Sequence, residues 1–144
     1  AHLVLTDMVR RGEGRLLITS SVVSATPAPY LSTYAASKAF VQSFSQAIRT
    51  ELDGTGVTVT ALMPGPTDTE FWERADMMDT RVGQMDKDDP AQVARDGIDA
   101  MLDGRDHVVG GKARNHFTVA AWELLPDALA SRINTLATRP GSGD

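Results

Sequence analysis

The stretch "RLLITSS", Arg15 to Ser21, is a short, unbroken apolar run that closes on a pair of serines. A strand with water on one face alternates apolar and polar residues; a continuous run bounded by turn residues reads as a strand covered on both faces, as in a parallel sheet. A second such run, "VTVTALM" from Val57 to Met63, is β-branched and ends on Pro64-Gly65. Between them, from Thr33 to about Leu52, apolar residues fall mostly three or four apart, at Ala36, Phe40, Phe44, Ala47, Ile48 and Leu52. Ser32 or Thr33 is expected to cap this helix and Gly54 to close it. Strand, helix, strand with short joints is a βαβ unit, so the fold class is α/β with a doubly wound parallel sheet.

Before Arg15, residues 2–10 read as the end of an amphipathic helix, with Leu3, Leu5, Met8 and Val9 as its apolar contacts. The chain opens on Ala1 in the middle of that pattern, so residues are expected to precede it. Residues 70–85 hold Phe71, Trp72, Met77, Met78 and Met85 among charges and read as a helical or mobile segment. Asp89-Pro90-Ala91-Gln92 has the form of a capping box with proline at the first helical position, and a helix should run to about Leu102. "DHVVGG" from Asp106 reads as a short strand, residues 115–138 as helix broken at Pro126, and "RPGSGD" as a loose tail.

The bulk composition narrows the functions open to this fold. With 144 residues, 42% hydrophobic and 23% charged, the chain suits one globular domain. A net charge of −5 argues against nucleic acid as a main partner and fits a soluble, cytoplasmic protein. Cysteine is absent, which excludes disulfides and thiolate chemistry. No apolar run is long enough to span a bilayer, and the basic residues near the end are too few to favour membrane contact.

In sheets of this kind ligands bind beyond the carboxyl ends of the strands. Connectivity brings three segments to that edge: Ser20-Ser21, the first turns of the following helix, and "PGPTDT" from Pro64 to Thr69. The helix carries Tyr34 and Lys38 one turn apart, on one face. An ammonium beside a phenol favours the phenolate. Free phenol titrates near ~10, so poising it near neutrality takes about 4 kcal/mol, more than one exposed charge supplies. A partly buried lysine together with a bound cationic ring can supply it. A tyrosine so tuned passes a proton to or from an alcohol oxygen, and a serine hydroxyl can hydrogen-bond that same oxygen. Tyr-x-x-x-Lys alone is common on amphipathic helices; the information lies in its combination with the serine pair and the Pro-Gly strand end.

"GRLLITSS", "YAASKAF" and "VTVTALMPGPTDT", in this order and spacing, resemble the short-chain dehydrogenase/reductase family, most strongly from Gly14 to Thr69. The resemblance implies a Rossmann-like fold and hydride transfer between NAD or NADP, with NADP favoured, and a carbonyl or secondary alcohol. It selects Ser21, about thirteen residues before the tyrosine, as the serine that stabilises the substrate oxygen. Tyr34 resembles the general acid/base, and Lys38 the residue that lowers the tyrosine's pKa and holds the nicotinamide ribose. Pro64, Gly65, Thr67 and Thr69 resemble the segment lining the nicotinamide carboxamide. Tyr30, Phe71 and Trp72 are expected near the substrate, whose character Met77 and Met78 help to mark as hydrophobic. The family's glycine-rich phosphate loop has no counterpart here, so residues 1–112 resemble the C-terminal half of such a domain, followed by a helical extension at 113–138 and a flexible tail at 139–144. Alone, this half is expected to be inactive; the complete protein is expected to form homo-oligomers.

Other residues read more plainly. His2, His107 and His116 lack metal-ligand spacing, so no metal site is expected. Asp86, Asp88 and Asp89 are explained by a helix start, through capping and the macrodipole. Phe117, Ala121, Leu124, Leu125, Leu129, Ile133 and Leu136 recur at helical spacing and are expected to pack on the body or on another subunit. The alternative to an enzyme is a non-catalytic fragment that oligomerises or binds a partner.

Overall fold

The computed structural model describes residues 2–143. Three strands, β1 (Gly14–Thr19), β2 (Val57–Pro64) and β3 (His107–Gly110), form one parallel sheet in the order β1-β2-β3. The register pairs Gly14 with Val57 and Thr19 with Leu62, so both strands end at the same edge. Helices α1 (His2–Arg11), α2 (Ser32–Glu51), α3 (Phe71–Arg74), α4 (Arg81–Gln84), α5 (Pro90–Leu102), α6 (Ala113–Leu124) and α7 (Asp127–Thr138) surround it.

The central strand β2 is buried along almost its whole length, as its β-branched run predicts. Leu62 and Val108 meet Val93 and Ala100 of α5, with Leu17 packed against them. The adjoining residues Met63 and Val109 point the other way and join Val22 and Val119 of α6. Gly97 lets α5 come close: a Cβ there would lie 2.9 Å from Leu62. The α2 helix packs along β2 and the short 3-10 turn Val22–Ala25.

Several expectations need correction. Leu3 is 83% exposed and no residue of α1 is fully buried, although α1 touches β1 and β2. Leu31, without a side-chain hydrogen bond, stands at the N-cap of α2 in place of Ser32 or Thr33. On α2 the buried residues are Ala35, Ser45 and Ile48, while Ala36, Phe40 and Ala47 are exposed. Half of the expected capping box forms: Asp89 accepts from Ala91 N at 3.0 Å, but Gln92 turns to Asp96.

Of the two placements expected for the apolar residues of the C-terminal helices, packing on the body is not the one seen within this chain. Phe117, Ala121, Leu124, Leu129, Ile133 and Leu136 are exposed and Leu125 only half-buried; Asn115, Val119, Ala130 and Thr138 face inward. The tail makes hydrogen bonds up to Gly143. Gly141 N donates to Asp79 Oδ2 (2.7 Å) and Gly143 N to Asp79 O (2.9 Å), while Arg81 N and Nε donate to Ser142. Asp144 lies outside the described residues.

Candidate active site

At the carboxyl edge of the sheet, β1 grips α2 through Lys38. The Lys38 ammonium donates to Thr19 O at 3.0 Å, and the Ser20 hydroxyl donates to Lys38 O at 3.0 Å. Ser20 is almost fully buried and its N–H is bonded to Leu62 O, so this serine is committed to the scaffold. Ser21 differs. Its hydroxyl donates to Pro64 O at 3.5 Å and accepts from Val23 N at 3.4 Å, both at the outer limit for a hydrogen bond. A hydroxyl held this weakly can turn to a ligand oxygen.

The Lys38 Nζ lies 5.6 Å from the centre of the Tyr34 ring. Burial holds the Lys38 ammonium below its ordinary value of 10.5. Phe71 packs on Tyr34 with ring centres 5.2 Å apart, and Trp72 meets Phe71 edge-on at 5.3 Å. Trp72 Nε1 donates to Thr67 O at 2.7 Å, and Thr67 Oγ1 to Gly65 O at 2.9 Å, so the aromatic pair is fastened to the "PGPTDT" loop. Thr69 Oγ1 accepts from Phe71 N at the start of α3.

Ser21, Tyr34 and Lys38 line one cavity of about 530 Å³ together with Pro64, Gly65, Thr67, Thr69, Phe71 and Trp72. Tyr30 is not among its lining residues: it is 61% exposed, in the left-handed region at φ 64°. Of the methionines of this segment, Met77 is buried and lines the cavity, while Met78 is exposed.

The sequence gives no sign of Asn115 and Arg114, and it assigns Asp88 to a helix start that the structure does not bear out. Asn115 Nδ2 donates to Asp88 Oδ2 at 2.6 Å and to Gly110 O at 2.9 Å, tying α6 to the end of β3. Asp88 N donates to Pro66 O and Asp68 N to Asp88 O, so the backbone at Asp88 is bridged to the "PGPTDT" loop. Only Asp89 of the acidic trio caps a helix; Asp88 is buried beside Asn115 and Arg114, and Asp86 pairs with Lys112 and Arg114. Burial makes a charge at Asp88 costly, and the Arg114 guanidinium, 3.6 Å away, offsets that cost. Gly65 is a glycine for a packing reason, since a Cβ there would lie 2.3 Å from the Asn115 amide. Asn115 lies 27 positions from Asp88 in the chain, and no local pattern marks the pair.

Residues 1–79 match the family model described as short chain dehydrogenase. The dehydrogenase/reductase SDR family member 7B of Danio rerio is 36% identical over 112 residues, covering 74% of this chain and 36% of that protein. A solved short chain dehydrogenase from Burkholderia cenocepacia, in complex with NADP, superposes with a TM-score of 0.70 at 22% identity, over 87% of this chain and 50% of that one. A 3-oxoacyl-acyl-carrier-protein reductase with bound NAD from Brucella melitensis gives a TM-score of 0.53 at 25% identity, over 73% and 42%. The chain thus spans half or less of the length of these relatives.

Proposed function

The chain belongs to the short-chain dehydrogenase family, and on that premise we propose that it is the substrate-facing half of an NAD(P)-dependent oxidoreductase acting on a carbonyl or secondary alcohol. The observation that carries this reading is the convergence of Ser21, Tyr34 and Lys38 on one cavity, with Thr19 and Ser20 fixing Lys38. The reductase with bound NAD from Brucella melitensis supports a nicotinamide cofactor.

The residues present suit the nicotinamide end of such a cofactor. Pro64, Gly65, Thr67 and Thr69 border the cavity beside Tyr34, and one hydrogen bond to Thr19 leaves the other Lys38 protons for ribose hydroxyls. When bound, the cofactor supplies or accepts the hydride. The side chains handle the oxygen. In the reducing direction the Tyr34 hydroxyl gives its proton to the substrate oxygen as negative charge grows there, and in the oxidising direction the phenolate takes it back. The Lys38 cation stabilises that phenolate. The Ser21 hydroxyl donates to the same oxygen and is worth most when that oxygen is most charged. NADP in preference to NAD, a cytoplasmic location and a homo-oligomer belong to the same reading. For the last, α2 offers Phe40, 69% exposed and stacked on Phe44 at 5.9 Å.

The test is Tyr34→Phe in the full-length protein. The ring and its contact with Phe71 survive, so circular dichroism and the thermal midpoint should be kept. Turnover of NAD(P)H with carbonyl substrates should fall by about a hundredfold or more. A folded Tyr34→Phe protein that keeps its turnover overturns the mechanism. A second reading, a non-catalytic fragment that oligomerises or binds a partner, draws on the exposed apolar residues Phe117, Leu124 and Leu136. Full-length protein that binds neither NAD nor NADP would favour it.

A further inference from the structure

The cavity that holds Tyr34 is lined also by the C-terminal helices: Thr118 and Trp122 of α6, and Asn134, Ala137 and Thr138 of α7. These helices are not an appendage. Val119 sits in the core beside Met63 and Val109, and Asn115 is bonded to Gly110 and Asp88. Phe71, Trp72 and Met77 line the same cavity.

Among the described residues only two charged side chains line this cavity, Lys38 and Arg114. Lys38 is engaged with Thr19 O. Arg114 is neutralised by Asp86 and Asp88 and donates to Asp86 O. Among the described residues no carboxylate lines the space, so within this chain a cationic substrate would be buried without a counter-ion, and an anionic one would compete with Asp86 and Asp88 for Arg114. Either arrangement carries a desolvation penalty that a neutral hydrocarbon body avoids.

Building on the oxidoreductase reading, we infer that the substrate is a neutral carbonyl compound with an extended apolar body, and that α6 and α7 select its length through Trp122 and Ala137. The carbonyl end meets Ser21 and Tyr34, and the apolar end lies against the C-terminal wall. Each methylene that enters such a wall is worth about fourfold in kcat/KM.

The experiment is a series of methyl ketones from butanone to 2-decanone, with succinic semialdehyde as the charged comparator, assayed with NADH or NADPH on the full-length protein. kcat/KM should climb about fourfold per methylene until the wall is reached, and the charged aldehyde should be the poorest substrate. Ala137→Phe should shift the optimum to shorter ketones by filling the wall, and Trp122→Ala should shift it to longer ones. Opposite shifts do not arise from general damage to the fold. The chain's two tryptophans, Trp72 and Trp122, both line the cavity, so 2-decanone should also change tryptophan fluorescence, and Trp122→Phe should reduce that signal. Turnover that is flat with length, or preference for the charged aldehyde, overturns the inference while the oxidoreductase reading stands. Saturable fluorescence change without turnover of any carbonyl overturns the oxidoreductase reading and leaves the apolar site intact. Neither turnover nor a fluorescence response overturns both.

Discussion

Lys38 is held at both ends, its ammonium by Thr19 O and its carbonyl by Ser20 Oγ, and burial lowers its affinity for a proton. The sign of the stability effect follows. In the window between the lowered folded value and 10.5, the unfolded chain binds the proton that the folded chain does not, so stability rises with pH there. Below the folded value the cost of burying the charge is present in full. Lys38→Met removes the titrating group, so the variant should gain less stability than the wild type as pH rises from the lowered folded value of Lys38 towards 10.5, read from urea midpoints of the full-length proteins. Turnover should be largely lost. An unchanged pH slope would show that Lys38 is not the buried cation described here. Tyr34 and Lys38 were legible in the sequence because one helical turn separates them. Ser20 and Ser21 were separated there only by family spacing, since adjacent serines at a strand end look alike until their partners are known.

At the scale of elements, the α7 helix holds the loop that links Ser21 to Tyr34. Asn134 Nδ2 donates to Pro27 O at 2.9 Å and to Thr26 Oγ1 at 3.2 Å, and Thr138 Oγ1 donates to Pro29 O at 2.8 Å. Asn134 and Thr138 are one turn apart, on one face of α7. The prolines bring no N–H of their own, and this loop lies outside the sheet's ladder, so their carbonyls take donors from elsewhere. Thr138→Val keeps the shape and removes the donor, at a cost of about 1 kcal/mol. Amide exchange should quicken in residues 26–35 of the full-length protein while α5 stays protected; uniform quickening would point to global loosening instead. The strands and the long helix were readable because β-branched runs and an apolar period have local causes. The inward face of α6 and α7 was not, because it is built from Asn115, Val119, Ala130 and Thr138, whereas the bulky apolar residues face outward. Periodicity finds a face and does not say which way it points.

For the whole molecule, the decisive feature is how much apolar surface remains uncovered. The apolar run of β1 is only half-buried, and β1 is an edge strand with one backbone rail free of sheet partners among the described residues. Leu3 and Val4 of α1 lie exposed near it, Phe40 of α2 is exposed, and Phe117, Leu124 and Leu136 leave the C-terminal helices open. A long apolar edge with a free rail pairs readily with other chains, and large exposed patches mark interaction surfaces or aggregation sites. The 144-residue chain expressed alone should therefore be aggregated, or molten with strong binding of a hydrophobic dye, and should unfold without a sharp transition. Size-exclusion chromatography and thermal denaturation decide this. A monodisperse monomer with a cooperative transition would mean that Leu17, Leu62 and Val108 on one side, and Met63 and Val119 on the other, suffice as a core. In full-length protein the same measurements should give a sharp transition, because a strand paired to β1 would remove the free rail.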